Sequence, residues 1–432
     1  MAVSLCLVAA VIWERSGTAR SDDPGIAPPS FEQLHLPRAA QPGLLQRGSY
    51  LARAADCAAC HTATGGESYA GGRPFKLPFG TMYATNITAD RDTGIGSWSD
   101  EEFVRALREG VGKNGHLYPS MPYTSYTAMS RDDALAIKAY LFSLPAVHQV
   151  NHRNDLPFPF SQRWTLWFWN RLFLEKQRFH LDAGLTPVEN RGAYLATALG
   201  HCGECHTPRN AGLAMKSSRQ FAGAQLQGWQ AWNITSDPRL GLGGWSDEQL
   251  FEYLTTGCAH GRGSASGPMA EVVENSLQYL TRHDAEALVA YLRKVPAPPR
   301  ESGTEVNVRP APAVESSPWA PAAVETHAGL GRALFEDACA SCHQWNGQGQ
   351  QTPYAALTGD HSVNDPNGTN VVQVMLQGAH LTVGGQTVFM PRFGDAYTDE
   401  ELAALANYVV GHFADRRGRV AGDQVHKARS GG

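Results

Sequence analysis

Three short motifs in the sequence each place two cysteines and a histidine where they could hold one prosthetic group. The motifs are CAACH (Cys57, Cys60, His61), CGECH (Cys202, Cys205, His206) and CASCH (Cys339, Cys342, His343). Two thiols three positions apart lie on one side of a helical turn, where they can form thioether bonds to the two vinyl groups of one porphyrin. The adjacent histidine can then ligate the iron from the proximal side. The motifs therefore predict three covalently attached haem c groups.

Other uses of paired cysteines fit the sequence less well. A structural zinc site needs four ligands, usually from two pairs that are close in sequence, whereas these pairs recur about 140 residues apart in separate repeats. A thioredoxin-like redox motif needs a βαβ setting, which the pattern does not predict. Two of the eight cysteines, Cys6 and Cys258, stand alone, so an even disulfide framework is not indicated. We expect Cys258 to be a buried thiol.

A methionine beside a proline follows each motif and is the candidate sixth iron ligand. These residues are Met121 in PSMPY, Met269 in SGPMAE and Met390 in VFMPRF. Methionine ligation raises the potential of a haem iron relative to histidine, and the proline stiffens the loop that holds the sulfur. The alternative is bis-histidine ligation by His116, His260 or His380. The methionines that lack the repeated placement are expected to fill the core: Met82, Met129, Met215 and Met375.

The chain repeats itself around these motifs. The segment GSYLARAADCAACHT at residues 48–62 returns as GAYLATALGHCGECHT at residues 192–207, and more loosely as GRALFEDACASCH at residues 331–343. A second block, NITADRDTGIGSWSDEEF from Asn86, matches NITSDPRLGLGGWSDEQL from Asn233, and the third repeat lacks it. Each repeat begins with a helix that carries a glycine and ends with a helix that carries a tyrosine. We therefore expect the first and last helices of each repeat to pack closely, with the aromatic ring at the crossing.

The repeats set the expected domain boundaries. We predict domains at residues 43–150, 184–296 and 327–414, preceded by a signal-like export segment at 1–25 and followed by a polar tail at 415–432. An aromatic-rich connector, 151–183, joins the first two domains, and a proline-rich linker, 297–326, joins the last two. The connector is expected to be a helix packed across both domains. The alternative is a docking surface for a partner or for a membrane interface.

Length and charge limit the class of protein. A chain of 432 residues with 42% hydrophobic residues can bury ordinary cores, and its formal charge of −5 gives no electrostatic footprint for nucleic acid. The apolar stretch at residues 3–13 is too short to span a bilayer and has the length of a signal-peptide core. We therefore expect an exported protein without a spanning helix in its mature form.

With these motifs in place, the chain resembles the triple-haem cytochrome c subunits of bacterial membrane-bound dehydrogenases. The resemblance covers about residues 43–413 and is most specific in YLARAADCAACHT, TNITADRDTGIGSWSDEEF, YPSMPYTSYT, HCGECHTPRN, GPMAEVVENSLQYL and CASCH. It implies an all-α fold of three tandem class I-like cytochrome c domains. It also implies that His61, His206 and His343 are proximal ligands, and that the three motif-following methionines are distal ligands.

The resemblance further implies an electron-transfer subunit with no catalytic site of its own. Its partner would be a dehydrogenase catalytic subunit of the flavin, quinoprotein or molybdenum type, and its acceptor ubiquinone or a terminal oxidase. The segments GPMAEVVENSLQYL and FPFSQRW are most similar to the molybdenum-linked branch. The expected location is the periplasm, at the outer face of the inner membrane, with peripheral attachment. The alternatives are a free-standing periplasmic shuttle and a multi-haem peroxidase, which needs one iron with an open sixth position.

Overall fold

The computed structural model describes residues 43–77, 79–298, 326–349, 352–414 and 417–431. The signal-like segment 1–25 and most of the proline-rich linker 297–326 lie outside these ranges. In the part of the chain that is described, no helix is long and apolar enough to cross a membrane.

The first repeat forms a small helical bundle around CAACH. Its elements are α1 (Leu44–Ala54), α2 (Cys57–His61), β1 (Pro74–Leu77), β2 (Gly80–Tyr83), α3 (Asp100–Glu109), β3 (Val111–Gly112), β4 (Gly115–His116), α4 (Tyr123–Tyr126) and α5 (Arg131–Ser143). The expected capping box begins α3, because Ser99 and Glu102 each accept a hydrogen bond from the other's backbone N–H. Ser130 caps α5 in the same way by accepting from the Asp133 N–H.

The second repeat follows the same order after the connector helix. The elements are α6 (Thr165–Phe173) in the connector, then α7 (Pro187–Tyr194), a π-helical segment (Leu195–Leu199), α8 (Gly203–His206), a 3₁₀ turn (Ser217–Arg219), β5 (Ala224–Leu226), β6 (Trp229–Ala231), α9 (Asp247–Thr256), β7 (Cys258–Ala259), β8 (Gly263–Ser264), α10 (Gly267–Asn275), a 3₁₀ turn (Leu277–Tyr279) and α11 (Arg282–Leu292). The π-helical segment absorbs the extra residue that separates Gly192 from Cys202, compared with the first repeat. The Gly200 N–H accordingly donates to the Leu195 carbonyl, five residues back, at 2.7 Å.

The third repeat is shorter and ends in a docked tail. Its elements are α12 (Thr326–Ala338), α13 (Ala340–His343), a 3₁₀ turn (Pro353–Ala355), α14 (Thr369–Gln377), β9 (Ala379–Val383), β10 (Gln386–Met390), α15 (Asp399–Ala414) and α16 (Gly422–Arg429). Within the tail expected to be merely polar, α16 buries Val425 completely. Its Arg429 side chain also donates to Asp399 at the start of α15 at 2.8 Å.

The first and last helices of every repeat cross at the glycine and the tyrosine that the sequence singled out. A Cβ atom placed on Gly48, Gly192 or Gly331 would collide with a backbone carbonyl of the opposite helix. It would also lie 2.8, 2.7 or 2.9 Å from the Cβ of Tyr140, Tyr291 or Tyr408, respectively. The predicted helix crossing is confirmed, because only glycine permits so close an approach of two backbones.

The described residues form two hydrophobic cores, one shared by the first and second repeats and one within the third. A single hydrophobic cluster runs through the first and second repeats, with Leu51, Leu199 and Leu288 among its buried members. A separate cluster fills the third repeat around Phe335 and Leu402.

The expected all-α class describes the core-forming elements but missed the strands. The described strands pair into five two-stranded antiparallel sheets, each a short hairpin. Three of these, β1–β2, β5–β6 and β9–β10, have three to five pairs of residues in register. The hairpins lie between helices and shape the loops around the motifs. The fold is therefore helix-rich with β-hairpin insertions.

Candidate haem sites

Each motif histidine is held by the same kind of contact. The Nδ1 atoms of His61, His206 and His343 lie 2.7, 2.6 and 2.7 Å from the carbonyl oxygens of Thr85, Trp232 and Ala355. Because a carbonyl oxygen can only accept, Nδ1 carries the proton and donates in all three rings. The lone pair is then on Nε2, which is the tautomer that an iron-ligating histidine needs.

The loop that supplies this carbonyl is built by the repeated NIT block. Thr85 and Trp232 directly precede Asn86 and Asn233. Each asparagine folds its own loop by accepting from the backbone N–H two residues on, at 2.9 Å from Thr88 and 2.8 Å from Thr235. The block thus positions the histidine anchor through an Asx turn. In the third repeat, which lacks the block, a 3₁₀ turn supplies the carbonyl of Ala355.

A glycine N–H donates a hydrogen bond to the backbone carbonyl of each motif histidine. The N–H groups of Gly71, Gly223 and Gly349 donate to the carbonyls of the three motif histidines at 2.8, 2.8 and 3.2 Å. All three glycines have φ between +79° and +87°, the left-handed region that disfavours a side chain. At Gly71 a Cβ would lie 2.5 Å from the backbone of Thr85, the residue that anchors His61. These glycines allow the anchor loop to lie directly against the motif.

The second motif opens onto a deep, mostly apolar cavity. Cys202, Cys205 and His206 form part of its wall together with Met269. The remaining wall is largely hydrophobic and includes Leu242, Trp245, Leu250, Tyr253, Leu288 and Leu292. The sequence-predicted residues of the second site therefore line one space. His260, the bis-histidine candidate of this repeat, is exposed and is not among the lining residues.

The third motif opens onto a similar cavity with more candidate ligands. Cys339, Cys342, His343 and Met390 line it, and Phe335, Leu405 and Val409 supply apolar surface. Met375 and His380 line the same space. Met375 is buried in the core of the third repeat, whereas the His380 imidazole is largely exposed beside Glu274. Met390 lies at the end of β10, next to the proline that the prediction required.

In the first repeat, Cys57 and Met121 both pack against the shared core. The Met121 backbone is fixed in a tight turn, since its N–H donates to the Tyr118 carbonyl at 3.0 Å and its carbonyl accepts from Tyr123 at 2.7 Å. The alternative ligand His116 lies in β4, where its Nδ1 is 3.2 Å from the Asn170 side-chain amide. The turn fixes the backbone at Met121, as expected for a residue whose sulfur is to be held against an iron atom.

Burial favours the neutral form of five of the six motif cysteines and of all three motif histidines. It raises the pKa of Cys57 and Cys202 to about 12, and the pKa of Cys60, Cys205 and Cys339 to about 11. It lowers the pKa of the three motif histidines. Neutral thiols and neutral imidazoles suit thioether formation and iron ligation. Among the described residues, no group of three or more His, Cys, Asp or Glu side chains is arranged to hold a metal ion.

Several residues around the cavities were not found from the sequence. His201 and His361 line the second cavity, and Asp360 and Asn370 line both the second and the third. His201 is half-buried directly before Cys202 and lies edge-on to Tyr126, with ring centroids 5.7 Å apart. No spacing rule distinguishes these residues from surface polar groups. Cys258 is buried, as expected.

Comparisons with known proteins identify the family. A cytochrome c family model matches residues 45–145 and 328–412. The chain is 40% identical over 413 residues to the fructose dehydrogenase cytochrome subunit of Gluconobacter japonicus, covering 92% of this chain and 85% of that protein. It is 37% identical over 392 residues to the gluconate 2-dehydrogenase cytochrome c subunit of Pantoea cypripedii, covering 87% of each. The chain belongs to the family of dehydrogenase cytochrome c subunits.

As a dehydrogenase cytochrome c subunit, the chain is a redox carrier that binds haem c covalently, and it is not the catalytic unit. A further relative is the cytochrome c subunit of the quinone-dependent alcohol dehydrogenase of Gluconobacter oxydans, 33% identical over 425 residues. That match covers 94% of this chain and 86% of the relative. The relatives thus include proteins named for different substrates.

Proposed function

We propose that the chain carries three haem c groups and relays electrons from the catalytic subunit of a dehydrogenase to ubiquinone or a terminal oxidase. His61, His206 and His343 are the proximal ligands, and Met121, Met269 and Met390 are the distal ligands. The relay operates in the periplasm at the outer face of the inner membrane. The observation that carries this proposal is the repeated anchoring of each motif histidine through Nδ1 to a backbone carbonyl.

The protein's own residues supply the conditions for this role. When bound, iron porphyrin supplies a one-electron couple between Fe(III) and Fe(II). The cysteine pairs hold it covalently, the carbonyl-anchored imidazoles fix the ligand tautomer, and the apolar walls exclude water. We assign substrate oxidation to the partner, because the relatives are named as cytochrome subunits of dehydrogenases.

The arrangement of the sites favours a serial relay. Asp56, which precedes Cys57 in the first motif, lines the cavity of the second. Ser264, Asp360 and Asn370 in turn line both the second and the third cavity. Neighbouring sites therefore adjoin directly, with the second in the middle. Electrons entering at one end can pass along the chain without crossing bulk water.

The ligand assignment can be tested by the absorbance band of methionine-ligated Fe(III) haem. Replacing Met121, Met269 or Met390 singly with leucine should remove about a third of this band. Met375→Leu is the matched control, because it alters a buried methionine of the third cavity without removing a proposed ligand. A band that is insensitive to one of the three substitutions, or abolished by Met375→Leu, would refute the assignment at that site.

The relay itself can be tested by co-expressing the chain with a candidate dehydrogenase catalytic subunit. Addition of the dehydrogenase's substrate should reduce the haem absorbance, and a soluble ubiquinone analogue should reoxidise it. Failure of the catalytic subunit to reduce the haems, or rapid peroxide-dependent turnover by the isolated chain, would refute a relay. Purification of the chain without any stoichiometric partner would favour the free-standing shuttle.

A further inference from the structure

Helix α6 in the connector is hydrophobic on two opposite faces. One face packs inward through Leu166, Trp169, Asn170 and Phe173. The other carries Trp164, Trp167, Phe168 and Leu172, spaced as neighbours on one side of a helix, and all four are exposed. A helix that is apolar all round is normally buried all round. The outward face therefore lacks a partner within the described chain.

The exposed side chains between residues 158 and 172 include Trp164, Trp167 and Phe168, whose rings contact one another, and we call the group the aromatic ridge. It consists of Phe158, Phe160, Trp164, Trp167, Phe168 and Leu172. Phe158 is 78% exposed, Leu172 73% and Trp164 61%. Scattered single apolar residues are normal on a protein surface, but a group of large exposed apolar side chains on one short segment marks an interaction site. Because its side chains project outward, the ridge suits insertion into a soft phase better than docking against a rigid surface.

The ridge is held rigidly by its inner face. The Tyr123 hydroxyl donates to the Asn170 side chain at 2.8 Å, which joins α6 to the first repeat. The Trp169 indole N–H donates to the Gly212 carbonyl at 2.7 Å, which joins it to the second. The connector thus bridges both repeats, as the packing interpretation expected, while it presents its other face outward.

Basic residues accompany the ridge in a chain whose overall charge is negative. The segment at 156–179 contains Arg163, Arg171, Lys176 and Arg178 but only Glu175 as an acid, whereas the whole chain has a formal charge of −5. Glu109 offsets part of this charge by pairing with Lys176 at 3.1 Å. Arg171 is exposed between Phe168 and Leu172. Cations beside exposed tryptophan and phenylalanine match the anionic headgroup and acyl boundary of a bilayer.

We propose that the aromatic ridge inserts into the interfacial region of an anionic phospholipid bilayer. The proposal rests on the proposed function for its location at a membrane and names the surface that attaches the protein there. The tryptophan rings enter the headgroup level, where amphipathic rings are favoured, and the phenylalanine and leucine side chains enter the acyl boundary. Arg171 extends its aliphatic stem along them and keeps its guanidinium among the phosphates.

The test is co-sedimentation of the full-length holoprotein with vesicles, measured by haem absorbance. Vesicles of phosphatidylglycerol and phosphatidylethanolamine are compared with vesicles of phosphatidylcholine alone. The triple variant Trp164→Ser, Trp167→Ser, Leu172→Ser should bind the anionic vesicles at least ten-fold more weakly than the wild type. The matched control Leu44→Ser, Leu45→Ser, Val150→Ser removes three other exposed apolar side chains and should bind like the wild type.

A charge variant separates the electrostatic attraction to anionic headgroups from the insertion of apolar side chains. Arg171→Glu should weaken binding to the anionic vesicles several-fold and leave binding to phosphatidylcholine unchanged, with the difference vanishing at high salt. Equal binding of the ridge variant and the wild type, or no binding by the wild type, would overturn the proposal. A ridge variant that retains vesicle binding but no longer co-purifies with its dehydrogenase would assign the ridge to protein docking and also overturn it.

A failure of vesicle binding can be distinguished from a failure of the proposed electron relay. Haem content and substrate-driven haem reduction are measured on the same preparations without vesicles, and the exposed substitutions should leave both unchanged. Loss of vesicle binding with intact reduction supports the ridge as the attachment surface. A chain that binds vesicles through the ridge but is never reduced would keep this inference and refute the relay.

Discussion

The junction between the first and second repeats differs in kind from the junction between the second and third. The first two repeats share one hydrophobic core, which runs from Leu51 through Leu199 to Leu288. The third keeps its own core and meets the second through side-chain hydrogen bonds and through apolar side chains of the β9–β10 hairpin, such as Leu381 and Val388. The two junctions of the chain therefore differ in their interactions, although the repeats that they join are similar in sequence.

The first junction is held by two reciprocal hydrogen bonds between a tyrosine of one repeat and an aspartate of the other, and we call this pair of contacts the clasp. The Tyr50 hydroxyl of the first repeat donates to Asp284 of the second at 2.5 Å, and Tyr194 of the second donates to Asp133 of the first at 2.5 Å. The tyrosines occupy equivalent places in α1 and α7, and the aspartates occupy equivalent places in α5 and α11. The two repeats are therefore joined with an approximate two-fold relation.

Each aspartate of the clasp is also held by an arginine of its own repeat. Arg47 pairs with Asp133 at 2.5 Å, and Arg191 pairs with Asp284 at 2.6 Å. The Arg191–Asp284 pair is almost completely buried, with 1% and 3% of the side chains exposed. The Arg191 guanidinium and the Tyr50 hydroxyl hold the pKa of Asp284 below its usual value, although burial opposes them. The carboxylate is thus charged and shared between the two repeats.

The second junction combines side-chain amide contacts with an apolar contact. The Asn370 side chain accepts from the Gln230 N–H at 2.8 Å and donates to the Gln230 carbonyl at 3.0 Å, as an added strand would. The Gln373 amide donates to the Gly228 carbonyl at 3.1 Å. Leu381 adds a buried apolar contact to the shared core. We infer that the first two repeats form one cooperative module and that the third is docked onto it.

The largest effect is expected from breaking the buried ion pair of the clasp. Asp284→Ala leaves the Arg191 guanidinium buried without its carboxylate and should cost about 3–5 kcal/mol of unfolding free energy. The first and second repeats should unfold together in urea, monitored by far-ultraviolet circular dichroism and haem absorbance. Asp247→Ala removes an exposed partner of Arg293 and should cost at most about 1 kcal/mol. Comparable small losses in both variants would contradict a shared cooperative module.

The second junction should depend on pH through Asp360. Burial between the two cavities raises the pKa of this carboxyl from 3.8 to about 6, while backbone N–H groups of Ser362 and Ser264 partly oppose the rise. The folded state therefore holds this proton more tightly than the unfolded state. Its stabilising contribution is fully present below about pH 4 and is lost as the pH rises through about 6, by up to about 3 kcal/mol.

Asp360→Asn keeps the shape of the side chain and removes its titration. The variant should flatten the pH dependence of unfolding of the third repeat between pH 4 and 7, as measured by urea titration at each pH. Burial raises the pKa of the neighbouring Tyr253 and Cys258, so neither side chain titrates in this range and the comparison with the wild type isolates the carboxyl. An unchanged pH profile would show that Asp360 is not the group responsible.

A moderate and local effect is expected at Asn370. Asn370→Ala leaves the backbone groups of Gln230 without their side-chain partner and should cost about 1–3 kcal/mol. Hydrogen exchange should rise at β5, β6 and α14, while α1 and α5 stay protected. Deprotection that spread equally through the first repeat would mean that the second junction is as cooperative as the first.

The smallest effects test the two-fold relation of the clasp. Tyr194→Phe and Tyr50→Phe each remove one hydroxyl that donates to an aspartate and accepts a backbone N–H, and each should cost about 1 kcal/mol. Tyr194→Phe should cost slightly more, since Tyr194 is the more deeply buried. Tyr279→Phe, at an exposed position, is the control and should change the unfolding free energy little. Strongly unequal costs for the two clasp tyrosines would break the proposed symmetry.

Local patterns in the sequence predicted the motifs and the helix crossings. Cys-x-x-Cys-His and a glycine opposite a tyrosine constrain residues that are close in the chain or repeated in it, as at Gly48 and Tyr140. The carbonyls that anchor the histidines were not predicted, because any residue can supply a backbone oxygen and Trp232 lies well after His206 in the chain. The Asx turn at Asn233 was the available signal.

The difference between the junctions also has a sequence signal that prediction missed. The third repeat has Leu330 and Ala333 where the first has Arg47 and Tyr50, so it lacks both the arginine and the tyrosine of a clasp. Sequence spacing alone does not reveal that each tyrosine bonds to the aspartate of the other repeat, since a contact within one repeat would have the same pattern. The hairpins were missed for a related reason, because two to five residues are too few to show strand periodicity.

The electron relay requires that each of the three Cys-x-x-Cys-His motifs holds its own covalent haem. Intact-mass measurement of the purified mature chain under denaturing conditions tests it most directly, with haem counted independently by alkaline pyridine absorbance. The expected mass is that of the polypeptide plus three haems, and plus two haems when Cys202 and Cys205 are both replaced by serine. A wild-type chain with fewer than three covalent haems would contradict it.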